Sequence, residues 1–411
     1  MRITRPAARA RVPLDRIDLT DTDLYVHGDA HLVWQTLRAE RPVYWQERQN
    51  GHGFWAVTRR ADVYRVLSDH ETFSSEGGTA IAMLDAPDPA AGLMMQSTDP
   101  PRHRKYREQV GRPFSARAVP AYTEFVQAFV RKSVEPARDG EVWDAASAFV
   151  RLPMALCAMM MGLPEDDIDP LLRLAYACLA PDDPRYRTHG AAKPTAGSAH
   201  YEIMGYFAQR IGERRRNPSD DLTSHLMSIE IAGRRLTDEE LLYNCLSLLL
   251  GAVVTTSHVI NATVIVLAEQ HGGEGRWPDA MPPAAVEEAL RWASPVTHFM
   301  RRARRDTTIA GQRIAAGEAV TAWIASANRD EEAFERPYVL DFERTPNHHI
   351  VFGAGPHTCL GSHLARLMLR TSFAELCAAI ESFELADEPV HLASNEIAGV
   401  VSLPLRTRFR P

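Results

Sequence analysis

Residues 351–366 read VFGAGPHTCLGSHLAR, and the fold turns on how that stretch is read. Phe352, Gly353, Gly355 and Pro356 describe a tight loop whose backbone must approach something flat, because glycine carries no side chain to hold it off. Leu360, Leu364, Leu367 and Met368 then open an amphipathic helix. Cys359 sits where loop becomes helix. Amide donors and the positive helix end at such a place favour thiolate over thiol and suit a sulfur ligand to a metal. A lone cysteine before a helix is also an ordinary structural feature, so the neighbouring residues have to decide.

They decide by resemblance. FGAGPHTCLG, residues 352–361, is similar at every defined position to the haem-binding signature FGxGxHxCxG of the cytochromes P450. The resemblance implies a soluble, bacterial-type haem-thiolate monooxygenase holding haem b (iron protoporphyrin IX). Cys359 would be the axial iron ligand, Phe352 would pack near the sulfur, His357 would bond a haem propionate, and Gly353 and Gly361 would border the cofactor.

Upstream, Glu288 and Arg291 in VEEALRW have the spacing ExxR, which lets residues three apart pair on one helix face. In the family this pair ties the core to a meander, here residues 327–353, and Arg344 and His349 are both candidates for its third member. The network reads as structural. STDPPRHRKYR, residues 97–107, places His103 and Arg107 as in the family's HxxxR, and FMRRARRD places Arg301 where the family clamps a propionate. A guanidinium fork suits a carboxylate. Arg302, Arg304 and Arg305 read as solvated surface.

LLLGAVVTTSHVI, residues 248–260, aligns with the family pattern [AG]Gx[DE]TT and puts Thr255 on the oxygen-activating threonine. Two positions depart: Ala252 replaces a glycine and Val254 replaces the acid. The family's chemistry consumes two electrons and two protons, relayed by acid, threonine and water. A valine carries no proton. The resemblance spans nearly the whole chain, with residues 42–76 similar to the family's first sheet and residues 393–406 to its terminal turn.

Periodicity by itself gives helices over Val119–Val134, Tyr201–Arg215, Asp238–Ala268, Ala284–Ala293 and Ser362–Ile380, and β-like runs at 53–58 and Thr308–Ile324. With the resemblance, the expectation is one domain, residues 1–411, mainly α with small β-sheets (α+β). A β-containing N-terminal part (about 25–80), a helical core (about 100–300) and a haem-binding C-terminal part (about 300–411) would place the haem between the central long helix and the cysteine-loop helix. Thr79–Ser97 and Ala180–Ser198 read as loops that vary with ligand.

Composition is compatible with this. The chain has 411 residues, 45% hydrophobic and 24% charged, and its net charge of -7 argues against nucleic-acid or anionic-membrane partners. Five scattered cysteines with no CxxC read as reduced thiols of a cytoplasmic protein. Leu246–Leu267 is apolar but interrupted by Ser247, Thr255, Thr256, Ser257, His258, Asn261 and Thr263, which favours a buried helix over a membrane span.

The expected partners are dioxygen, a small organic substrate, and a ferredoxin with its ferredoxin reductase bringing electrons from NAD(P)H to a monomeric enzyme. Arg102, Arg104, Lys105 and Arg112 are the expected docking charges. Met83, Leu84, Met94, Met95, Leu248, Ala252, Val254, Val296, His298, Phe299, Ala398 and Val400 are the expected pocket, whose apolar character points to a largely hydrophobic substrate. The missing acid keeps open oxidative coupling, cyclisation or peroxide-driven oxidation. A haem sensor or carrier without catalysis is the third reading.

Overall fold

The computed structural model describes residues 1–3, 6, 10–49, 51–187, 195–270 and 272–411. Segments from both ends of the chain build one five-stranded sheet, in the order Val43–Gln46, Phe54–Val57, Ala319–Trp323, His298–Ala303 and Phe73–Ser74. Phe54–Val57 runs parallel to Ala319–Trp323, with Ala56 beside Thr321, and Thr321 lies opposite Met300 of the antiparallel neighbour. The middle strand is buried along its whole length, so AVTAW carries little of the alternation a half-exposed strand would have. A second sheet joins Trp143–Asp144, Pro404–Phe409, Ile380–Leu385 and Glu274–Arg276.

The remainder is largely helical, and the helices share one large apolar core that includes Phe149, Leu249, Ile260 and Phe373. The helix expected over Val119–Val134 starts as a 3-10 turn at Val119–Tyr122, where Pro120 withholds a backbone donor, and becomes α-helical at Thr123. Ala145–Met161 and Ile168–Leu179 are helices that periodicity did not single out. The first is buried on most sides, so no polar stripe marks its period.

The central helix corrects the expectation of one continuous element. Asp238–Val253 begins at a Thr237/Glu240 capping box and ends before Val254 (φ -103°, ψ 18°), and Thr256–Glu269 starts anew after Thr255 (φ -123°, ψ -59°). Val253, Val254, Thr255 and Thr256 are four β-branched residues in a row, each restricted at χ1 by the preceding helical turn. Asp238–Glu269 is the one stretch among the described residues long and apolar enough to cross a membrane, and 67% of its most apolar window is buried inside the protein.

Thr79–Ser97 is irregular, with 3-10 turns at Ile81–Met83 and Met95–Ser97. Asn244 of the central helix holds it: Met95 N–H donates to Asn244 Oδ1 at 3.0 Å, and Asn244 Nδ2 donates to the Leu93 carbonyl at 3.0 Å. Of the second expected loop, Ala180–Ser198, residues 188–194 lie outside the described residues, and Thr195 already opens the helix Thr195–Arg216.

Candidate active site

The cysteine loop is built on glycine conformations. Gly353 (φ 74°) and Gly355 (φ 69°) are left-handed, and a Cβ on Gly355 would stand 2.6 Å from the Cα of Ser68. The Cys359 N–H donates to the Phe352 carbonyl at 2.7 Å, closing the loop just before the helix Ser362–Ala379. The Phe352 ring lies 4.5 Å from the Arg366 guanidinium. Cys359 keeps an exposed side chain although protein atoms crowd round it. Burial pushes its thiol up, against the opposing Gly361 amide, Arg107 and Arg366. The Gly361 amide and the two arginines do favour the thiolate, as the junction implied, but burial outweighs them; a metal cation at sulfur would add the further charge that tips the balance.

Beside the sulfur lies a cluster of donors. The His103 and His357 rings are 4.1 Å apart, and Arg107 and Arg301 act on both electrostatically. Burial, then the nearby cations, hold His103 down to about 4 and His357 down to about 2, and burial holds Arg301 down to about 10. Among the described residues His103 Nδ1 and His357 Nε2 are buried without a hydrogen-bond partner, and Arg301 donates to the Met300 carbonyl. Asp99 is near but already accepts from the Ser74 hydroxyl and the Ser75 amide. Two orphaned ring nitrogens and two arginines in a shielded place form a cradle for anions, and the two propionates of haem b fit that chemistry.

The ExxR pair is wholly buried. Arg291 holds both carboxylate oxygens of Glu288 at 2.7 Å and donates to the carbonyls of Asn328 and Pro337, both at 2.9 Å. Arg344 Nε joins Glu288 at 3.0 and 3.1 Å, and Asn347 adds a bond at 3.0 Å. His349 goes elsewhere: its Nε2 lies 3.0 Å from Glu287, which also takes a bidentate grip from Arg366. Of the two candidates for the third member, Arg344 makes the contact.

In the central helix and its break, Leu248, Ala252 and Thr255 recur at helical spacing and are partly accessible, as is Ser247, and Gly251 is exposed. Val254 is turned away into the apolar core at 2% exposure, off this stripe. Met83, Met95, Val296 and Phe299 also keep partial access, whereas Leu84 and Met94 are buried. His298 is packed 4.6 Å from the Trp323 ring, its Nδ1 3.0 Å from the Thr297 hydroxyl, and burial lowers it to about 3. Strand alternation explains this, since His298 shares a face with Met300 while Phe299 shares one with Arg301. Ala398 and Val400 border a different hollow, shared with Met1, Ile3, Ala262 and Trp292. Asn244, which holds the 93–95 segment, was missed from the sequence; its signal was an amide one helical turn before Leu248 in the central helix.

A sequence model of the family described as Cytochrome P450 matches residues 281–408. The chain is 34% identical to Cytochrome P450 NovI of Streptomyces niveus, over 98% of this chain and 99% of that one. It is 32% identical to Linalool 8-monooxygenase of Pseudomonas putida, over 95% and 98%. The solved structure of P450 OxyD, involved in the biosynthesis of vancomycin-type antibiotics, superposes with a TM-score of 0.82 at 33% identity, covering 96% of this chain and all of that one.

Proposed function

The chain belongs to the cytochrome P450 family of haem monooxygenases, and on that premise we propose that it inserts one atom of dioxygen into a small, largely hydrophobic organic molecule. The observation that carries the reading is the pairing of Cys359 with the buried donor cluster His103, Arg107, Arg301 and His357. When bound, the haem supplies the iron at which dioxygen is reduced. Cys359 would hold the iron, Arg107 and Arg301 would neutralise the propionates, and the uncharged rings of His103 and His357 would donate hydrogen bonds to them.

Thr255 is the residue placed to hold and pass a proton. It stands at the break in the central helix, its hydroxyl makes no capping bond, and helix ends leave backbone groups that water can join. Val254 offers no help. His258, one turn on, is also unsuited: Nε2 is 3.1 Å from the Tyr176 hydroxyl, Nδ1 accepts from Val400 N–H at 3.3 Å, and burial lowers it to about 3. The apolar stripe of Leu248 and Ala252, with Met83, Met95, Val296 and Phe299, fits a mainly hydrophobic substrate.

Electrons are proposed to come from NAD(P)H through ferredoxin reductase and ferredoxin. Arg102 is engaged by buried Glu240, which leaves exposed Arg104, Lys105 and Arg112 as docking charges. A second reading, oxidative coupling or peroxide-driven turnover, is favoured by one observation, the apolar burial of position 254. The test is spectral. Reduced protein with carbon monoxide is expected to give the red-shifted band of thiolate ligation, and Cys359→Ser to lose it; a histidine-type band in the unaltered protein refutes the reading.

A further inference from the structure

The substrate side of the molecule contains a carboxylate that the chemistry above leaves unused. Glu396 lies in the turn between strands Val390–His391 and Val400–Ser402. Its backbone is fixed on two sides. The Thr297 N–H donates to the Glu396 carbonyl at 2.9 Å, Ala398 N–H donates to the Pro295 carbonyl at 2.8 Å, and Ile397 pairs with Val296. From the other side the Ser394 hydroxyl donates to the Leu179 carbonyl at 3.0 Å, at the end of the helix Ile168–Leu179, and accepts from the amides of Glu396 and Ile397 at 3.2 and 3.1 Å. The turn is thus held against the segment that continues through Phe299 to Arg301 of the propionate cradle.

The side chain is not satisfied in the same way. Among the described residues the Glu396 carboxylate has no ion-pair or hydrogen-bond partner, although its backbone is fully engaged. It keeps part of its surface accessible while burial, with no charged neighbour contributing, raises its carboxyl to about 7. The antiparallel pairing of Ile397 with Val296 sets Glu396 opposite Thr297, two residues before Phe299 and four before Arg301. Alternation puts Thr297 on the face of Phe299 and Arg301, and Phe299 also keeps part of its surface accessible.

An unpaired carboxylate inside protein is unfavourable until a cation or donor joins it. Pockets that are mostly apolar fix their ligand by a few such groups. We propose that Glu396 is a recognition site for a protonated amine on the substrate, so that the molecule oxidised is a hydrophobic amine held by its nitrogen at this turn and by its apolar body along Leu248, Ala252 and Phe299. The inference rests on the haem-thiolate reading.

The test is a spectral titration of the haem-loaded protein at neutral pH with N,N-dimethyl-2-phenylethylamine and its uncharged carbon isostere, (3-methylbutyl)benzene. The unaltered protein should bind the amine at least tenfold more tightly than the isostere. Glu396→Gln should bring the amine down to the isostere's affinity and leave the isostere unchanged. Equal affinities for the two in the unaltered protein, or an amine affinity unmoved by Glu396→Gln, overturns the proposal. The carbon monoxide spectrum of each protein is recorded beside the titration: a thiolate band with no amine preference sinks the Glu396 assignment alone, whereas absence of that band sinks the haem-thiolate reading itself.

Discussion

Glu288→Gln tests the buried anchor beneath the site. Glu288 and Arg291 are both fully buried, and the carboxylate takes two bonds from Arg291, two from Arg344 and one each from Asn347 and the Asp341 amide. A glutamine keeps the shape but offers one acceptor oxygen and turns an NH2 toward guanidinium donors. Burial opposes the Glu288 charge, and the bonds from Arg291, Asp341 and Arg344 overcome it and hold the carboxyl below its ordinary value. Leaving the Arg291 charge without its partner in that environment costs about 3–5 kcal/mol. At roughly 1.2 °C per kcal/mol for a chain of this size, the melting temperature should fall by about 4–6 °C. The measurement is thermal unfolding of the haem-loaded protein by circular dichroism, with retained haem counted from the Soret band. His349→Gln, which touches Glu287 and not Glu288, should shift the melting temperature much less. A change under about 2 °C in Glu288→Gln, or equal shifts in the two variants, would refute the assignment of Arg291 and Arg344 to one load-sharing network.

Three further outcomes are expected. Thr255→Ala should divert a larger share of consumed NAD(P)H into hydrogen peroxide, measured as product and peroxide per NAD(P)H; unchanged yields would make this threonine a packing residue and favour the coupling or peroxide-driven reading. Val254→Asp should not restore proton delivery, because position 254 faces the core: the new carboxyl would stay protonated, stability should drop by about 2 kcal/mol or more, and improved coupling without loss of stability would contradict the burial argument. Reversing Arg104 and Lys105 to glutamate should slow reduction by ferredoxin at low salt and flatten its salt dependence in stopped-flow traces, while Arg102→Glu should mainly destabilise the protein through Glu240; equal reduction rates at low salt would remove the docking face.

The residues proposed to carry the chemistry were legible because their motifs are local. FGAGPHTCLG needs its glycines for left-handed backbone and its cysteine at a loop–helix junction, and both demands are met within ten residues of chain. The ExxR pair is likewise one helical turn; haem and fold class followed from the family resemblance that these short motifs carry, and most helices from periodicity. What the sequence left open depended on contacts across long separations. Arg344 rather than His349 reaches Glu288 because of how the meander folds back over the helix Ala285–Ala293, a path no local pattern encodes. The inward or outward turn of His298, Val254, Ala398 and Val400 depended on strand alternation meeting particular neighbours, and on a helix break that four β-branched residues allow but only packing fixes. Glu396 is the extreme case: in the sequence it is one acidic residue among 53, and only the tertiary structure shows a partly accessible carboxylate with no partner among the described residues.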